Sequence, residues 1–141
     1  MIRKFEEYDT EQIMQLWLAG NIEIHNFIPK EYWISNYTFV EKELLKADVY
    51  VYESDKKIRG FIGMVENYIA GIFVDSNFRS TGVGKSLLEY IKERNSLFTL
   101  HVYQQNQRAV EFYLREGFVV VSEGLEKETG KMEYTMEWNK I

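Results

Sequence analysis

Apolar residues recur at two spacings along this chain, and the changes between them mark its elements. Ile2 to Phe5 reads as a short strand. Asp9 follows with Gln12 three residues on, the spacing of a capping box, so a helix is expected to start there. Ile13, Leu16, Trp17 and Ile24 fall near one face of that helix, with Gly20 and Asn21 loosening the pattern midway. Pro29 separates it from a second helix, roughly Lys30 to Lys46, which carries Trp33, Ile34, Tyr37, Val40, Leu44 and Leu45.

From Val49 the period drops to two. VYVYE, a turn at SDKK and IRGFIGMVE predict an antiparallel hairpin, and YIAGIFV predicts a further strand. Its near-continuous apolar run predicts burial on both faces, and Gly71 inside it predicts a bulge or a close backbone approach. A helix from about Val83 to Arg94, a strand LFTLHVY, a helix from about Gln107 to Glu116 and strands FVVVSE and MEYTMEW complete the chain. The order is strand, two helices, three strands, helix, strand, helix, two strands. This is an α/β chain with a mixed (α+β) sheet flanked by helices, read as a single domain over residues 1–141.

Composition narrows the class. With 45% hydrophobic and 28% charged residues, one Pro and nine Gly, the chain is expected to fold into one core. A net charge of -5 argues against a general nucleic-acid binder and suits a cationic or amine partner. No apolar stretch approaches the roughly 20 residues that span a bilayer, and MIRKFEEYDT lacks the apolar core of a secretory signal. No membrane association and a cytoplasmic location are therefore expected. With no Cys, the chain can form no disulfide, thiolate zinc site or thiol-bound acyl intermediate. The two His residues show no ligand spacing, so no metal is expected.

The segment FRSTGVGKS joins a strand to a helix and places Gly82 and Gly84 at the helix start. Unpaired amides there, the helix dipole and the charges of Arg79 and Lys85 make a cradle for a phosphate group. It is not a P-loop, because Arg79 stands where GxxxxGK[ST] needs its first Gly, nor a dinucleotide fingerprint, because Leu87 stands where GxGxxG needs its last.

RSTGVGKSLLEYI after IFVD, followed by VYQQNQRAVEFYLREGF, resembles the GNAT superfamily of acetyl-CoA-dependent N-acetyltransferases, short bacterial single-domain branch. The resemblance covers the chain from the hairpin through Phe118, and the element order agrees with that fold. It implies acetyl-CoA as co-substrate, held by Arg79, Ser80, Thr81, Gly82, Val83, Gly84 and Lys85, with Asn106 and Tyr113 in a second cofactor-side motif. WLAGNIEIHNFIPKEYW resembles the acceptor side of that branch. The implied reaction is direct acetyl transfer in a ternary complex to a small-molecule amine, a protein lysine or a protein N-terminus. The alternative is an acyl-CoA-binding sensor without turnover. Either a monomer or a homodimer is compatible with the sequence.

Attack on a thioester needs a neutral amine, yet a lysine of pKa about 10.4 is almost wholly protonated at neutral pH. Glu66, Tyr68 and His25 are the candidates for removing the proton, and the residue pattern leaves the choice among them open. Backbone amides of Ile72, Phe73 and Val74, beside Gly71, are placed to steady the developing oxyanion. Tyr113 stands two helical turns after Asn106 and is the candidate acid for the departing thiolate. His25, Phe27 and Trp33 are candidate acceptor contacts, although helical spacing also suits Trp33 to the core.

Overall fold

The change of period at Val49 coincides with the passage from helix to sheet in the computed structural model, which describes residues 1–140. The elements are β1 (Ile2–Lys4), α1 (Thr10–Ile24), α2 (Lys30–Leu44), β2 (Asp48–Ser54), β3 (Lys57–Val65), β4 (Tyr68–Val74), α3 (Val83–Lys92), β5 (Leu97–Tyr103), α4 (Gln107–Arg115), β6 (Val119–Leu125) and β7 (Met132–Asn139). Short 3-10 turns at Glu7–Asp9 and Ser76–Phe78 precede α1 and α3.

The strands form one seven-stranded sheet ordered β1-β2-β3-β4-β5-β7-β6. Every neighbouring pair is antiparallel except β4 and β5, which are parallel and matched only at Tyr68↔Thr99 and Ile69↔Leu100. Beyond Ile69 the two strands part, and the sheet opens into a cleft at its centre.

Helices cover the two faces unequally. Leu87, Leu88 and Ile91 of α3 and Tyr113 of α4 pack with Ile62, Leu100 and Met136 on one face. Ile13 and Met14 of α1 and Leu44 of α2 pack with Val49, Val51, Ile58 and Phe61 on the other. Strand alternation sends successive side chains to opposite faces, so β2 and β3 feed both cores, whereas β5 and β7 feed only the α3–α4 side. The β2–β3 hairpin turns on Asp55 and Lys56, both with positive φ, the backbone of a two-residue type I′ turn.

Two local expectations change in the structure. Asp9 is the residue before α1, but its carboxylate makes no helix cap. It accepts two hydrogen bonds from the Arg3 guanidinium at 2.8 and 2.9 Å and one from the Glu6 amide, while Gln12 accepts from the Ile58 amide on β3. A bidentate guanidinium outcompetes a backbone amide for a carboxylate that is 1% exposed. Strand β4 is not buried on both faces: Ile69 alone is fully buried, because beyond it the cleft leaves the strand with β3 on one side and no neighbour on the β5 side. The irregularity at Gly71 is present, since Gly63↔Gly71 is followed by Met64↔Ile69 and leaves Ala70 unpaired.

No helix among the described residues is long and apolar enough to cross a membrane.

Candidate active site

Gly82 starts the site. Its φ of 94° lets the chain turn sharply into α3, and no side chain caps that helix. The first amides of α3 are therefore left facing outward, with the positive end of the helix dipole behind them. At α4 the equivalent task is done within the protein, where the Asn106 side chain accepts from the Ala109 amide at 3.3 Å. Of the two helices that border the cleft, α3 and not α4 keeps these donors for a ligand. Together with the parting of β4 and β5 this makes a cleft of about 770 Å³, bordered by Ile72, Phe73, Val74, Gly84, Asn106 and Tyr113.

Of the residues expected to hold the cofactor, Ile72, Phe73, Val74, Arg79, Ser80, Gly82, Gly84, Lys85, Asn106 and Tyr113 all border this cleft. Thr81 and Val83 do not. The Thr81 hydroxyl turns back to donate to the Phe78 carbonyl, and the Val83 side chain is buried in the core, so these two can offer a ligand only backbone. The chain-entry cations are already partnered: Arg79 pairs with Glu23 of α1, and Lys85 lies 3.3 Å from Glu116 and 3.7 Å from Glu89. Arg79 also borders a smaller hollow of about 320 Å³ against α1. Sequence reasoning missed Arg108 and Arg115, which line the cleft from α4, with Arg108 donating to the Ser80 hydroxyl. Their signal was the two-turn spacing that puts both on one helical face with Phe112.

Tyr113 is fixed from behind by the way α4 ends. Gly117, at φ 94°, lets the Phe118 amide donate back to the Tyr113 carbonyl at 3.0 Å and its own amide to Leu114 at 3.2 Å. The Phe118 ring then packs on the Tyr113 ring at 5.4 Å between centroids. Burial first, and the neighbouring Tyr68 second, push the Tyr113 phenol well above its ordinary value, so it keeps its proton at neutral pH.

Tyr68 lies on the opposite face of the sheet, at the closed end of the parting. Its hydroxyl stands 2.9 Å from His101 Nδ1, a partner on β5 that sequence reasoning also missed. The signal was present: alternation in LFTLHVY puts Thr99, His101 and Tyr103 opposite the buried Phe98, Leu100 and Val102. Burial, then Glu133 and Glu126, raise the Tyr68 phenol, so it keeps its proton at neutral pH.

The remaining candidates sit elsewhere. Glu66 is exposed in the two-residue turn between β3 and β4, with φ 55°, and does not border the cleft. The hairpin consumes it as a turn residue. Trp33 is 7% exposed and packs edge-on against Trp17 and Tyr32, as its helical spacing suggested. Phe27 packs against His25 and Tyr103. His25 has both ring nitrogens engaged inside the protein, by Asn21 at 2.8 Å and Asn106 at 3.1 Å, and burial depresses its pKa to about 4. It is neutral and has no nitrogen left for an acceptor. Among the described residues no group of three His, Asp or Glu could hold a metal ion.

The arrangement offers uncapped amides at one end of a long cleft, a protonated phenol within it and a phenol–imidazole pair on the far side. A family profile described as the acetyltransferase (GNAT) domain matches residues 7–139. The peptidyl-lysine N-acetyltransferase YiaC of Escherichia coli K12 is 34% identical over 140 residues, covering 98% of this chain and 96% of its own. The solution structure of apo-form YjaB from Escherichia coli superposes with a TM-score of 0.87 at 23% identity, over 100% of this chain and 98% of that one. The crystal structure of PaiA N-acetyltransferase from Thermoplasma acidophilum in complex with coenzyme A does so with a TM-score of 0.80 at 21% identity, over 99% and 98%.

Proposed function

The chain belongs to the GNAT acetyltransferases and is an acetyl-CoA-dependent N-acetyltransferase, and from that premise we propose that its acceptor is the side-chain amine of a lysine in a protein, acetylated directly in a ternary complex. The whole chain acts as one domain in this reading, and the cytoplasm is where it meets its substrates. The observation that carries the acceptor side is the Tyr68–His101 pair, which stands on the sheet face opposite the α3–α4 side, beside the parting of β4 and β5. The name of the Escherichia coli relative, a peptidyl-lysine N-acetyltransferase, supports the same acceptor.

Bound acetyl-CoA supplies an acetyl group activated as a thioester. The uncapped amides at Gly82–Gly84 fit its pyrophosphate, and Arg79 and Arg108 add charge at the same end. The β4 segment Ile72–Val74 has no strand partner across the cleft, so its backbone is free to align the donor and to donate toward the developing oxyanion. On the far face, Tyr68 accepts a proton from the acceptor ammonium as it passes its own to His101 Nδ1. Tyr113, held protonated, gives its proton to the departing sulfur and regains one from solvent. With no Cys anywhere in the chain, no step passes the acetyl group through an enzyme thiol.

A non-catalytic acyl-CoA sensor would need neither proton path, and the relatives provide no support for it. The test is thiol release from acetyl-CoA across lysine peptides, peptides with only a free N-terminus, polyamines and aminoglycosides, with mass spectrometry of the products. Acetylation at lysine side chains is expected. Turnover confined to small amines or to N-termini would overturn the acceptor assignment.

A further inference from the structure

Half of one sheet face carries no helix. α1 and α2 cover β2 and β3, but on the same side β5 and β7 present Thr99, His101, Glu133, Thr135 and Glu137 without a covering helix, and only Tyr103 at the edge packs against His25 and Phe27 of the α1–α2 elbow. The register pairs Thr99 with Glu137, His101 with Thr135 and Tyr103 with Glu133. Glu137 and Glu133 therefore flank His101 along β7, one on each side.

Elsewhere the protein pairs some of its carboxylates. Asp9 and Glu53 meet Arg3, Glu23 meets Arg79, and Glu116 meets Lys85 and Lys92. Around the bare face it does not: Glu126, Glu128, Glu133 and Glu137 have no ion-pair partner among the described residues. Two of these are held in place, Glu126 by the Tyr103 hydroxyl at 2.6 Å and Glu128 by the Tyr32 hydroxyl at 2.7 Å. Both bonds occupy one carboxylate oxygen and leave the charge without a counter-ion.

We propose that this uncovered face binds the segment that carries the acceptor lysine, and that Glu133 and Glu137 select segments with further Lys or Arg beside that lysine. The proposal rests on the protein-lysine reading above and adds a substrate class to it. Glu133 and Glu137 are four residues apart on one strand, about 14 Å, which is also the span of about four residues of extended peptide. An extended segment whose lysine reaches the Tyr68–His101 pair brings the side chains two residues to either side over the two carboxylates. Unpaired carboxylates attract such cations, speed their encounter and reject acidic segments.

The test compares kcat/KM for three peptides with the same central lysine and basic, neutral or acidic residues two positions to either side. The basic peptide is expected to exceed the neutral one by about tenfold and the acidic one to be poorest, with the preference shrinking as salt rises. In Glu137→Gln the ratio of basic to neutral kcat/KM should fall severalfold. Equal rates for all three wild-type peptides, or a preference for the acidic one, would overturn the inference while leaving lysine acetylation in place. Turnover of spermine with none of any peptide would overturn the protein-lysine reading and the inference with it. An unfolded Glu137→Gln variant would not spare the inference, because the wild-type comparison decides it alone.

Discussion

His25 Nε2 accepts a hydrogen bond from Asn106 Nδ2 at 3.1 Å, which ties the elbow between α1 and α2 to the first residue of the α4 motif. Because Nε2 accepts, Nδ1 carries the ring hydrogen and donates to Asn21, itself 2% exposed. Protonating the ring would set a hydrogen on Nε2 against the Asn106 amide. The folded pKa of about 4 lies below the ordinary value, so between about pH 6.5 and 4 the unfolded chain binds more proton than the folded one. Stability therefore falls as pH drops through that window, by up to about 3 kcal/mol from this residue. His25→Gln removes the titration, and its urea-unfolding free energy is expected to change less between those two pH values than that of the wild type. Parallel curves would show that His25 is not the group responsible.

Arg3 and Asp9 form a two-pronged ion pair, with the Asp9 side chain 2% exposed. Asp9→Ala leaves the guanidinium with Glu53 and the Lys4 carbonyl and the Glu6 amide without its acceptor. A loss of about 2 to 3 kcal/mol is expected in urea unfolding, below the full cost of a buried pair because Arg3 is partly exposed. A change under 0.5 kcal/mol would contradict it.

At Gly71 a Cβ would stand 2.7 Å from Cε2 of Phe73, one of the rings that border the cofactor cleft. Gly71→Ala is expected to push that ring aside and raise KM for acetyl-CoA severalfold, with a smaller effect on the acceptor KM. Unchanged acetyl-CoA kinetics would separate Gly71 from the cleft.

The α3 terminus is the test of the phosphate cradle. Gly82→Val forces a β-branched residue to φ 94° and disturbs the amides that follow, while Arg79→Ala removes a charge. Both are expected to weaken CoA by at least about tenfold in calorimetry, roughly the 1.4 kcal/mol of one charge-assisted hydrogen bond. Wild-type affinity in both variants would remove the cradle.

The strands and helices were legible because period and punctuation agreed: YIAGIFV, LFTLHVY and the Val83 helix lie where spacing places them. The glycine turn was legible because a backbone that swings sharply into a helix with no side-chain cap leaves a sequence trace in Gly82. What could not be read was any contact between elements distant in the chain. Tyr68 meets His101 only because the start of β4 pairs in parallel with Thr99 and Leu100 of β5, and His25 meets Asn106 across the whole α1–α4 separation. Asp9 was misread for a more local reason: its spacing offers it a helix cap, while β1 just before it offers the Arg3 guanidinium. Glu66 looked available for chemistry until a tight turn took its backbone.

Tyr113→Phe is the most direct measurement of the site. The variant removes one hydroxyl and keeps the ring that packs on Phe118. With chemistry rate-limiting, turnover on a lysine peptide is expected to fall by roughly 10²–10⁴-fold while acetyl-CoA affinity changes little, because a positioned acid acts in the transition state and not in binding. The loss should shrink for an acyl donor with a more acidic thiol. Equal turnover by the wild type and Tyr113→Phe under those conditions would contradict the assignment of Tyr113 as the acid and leave it a packing residue.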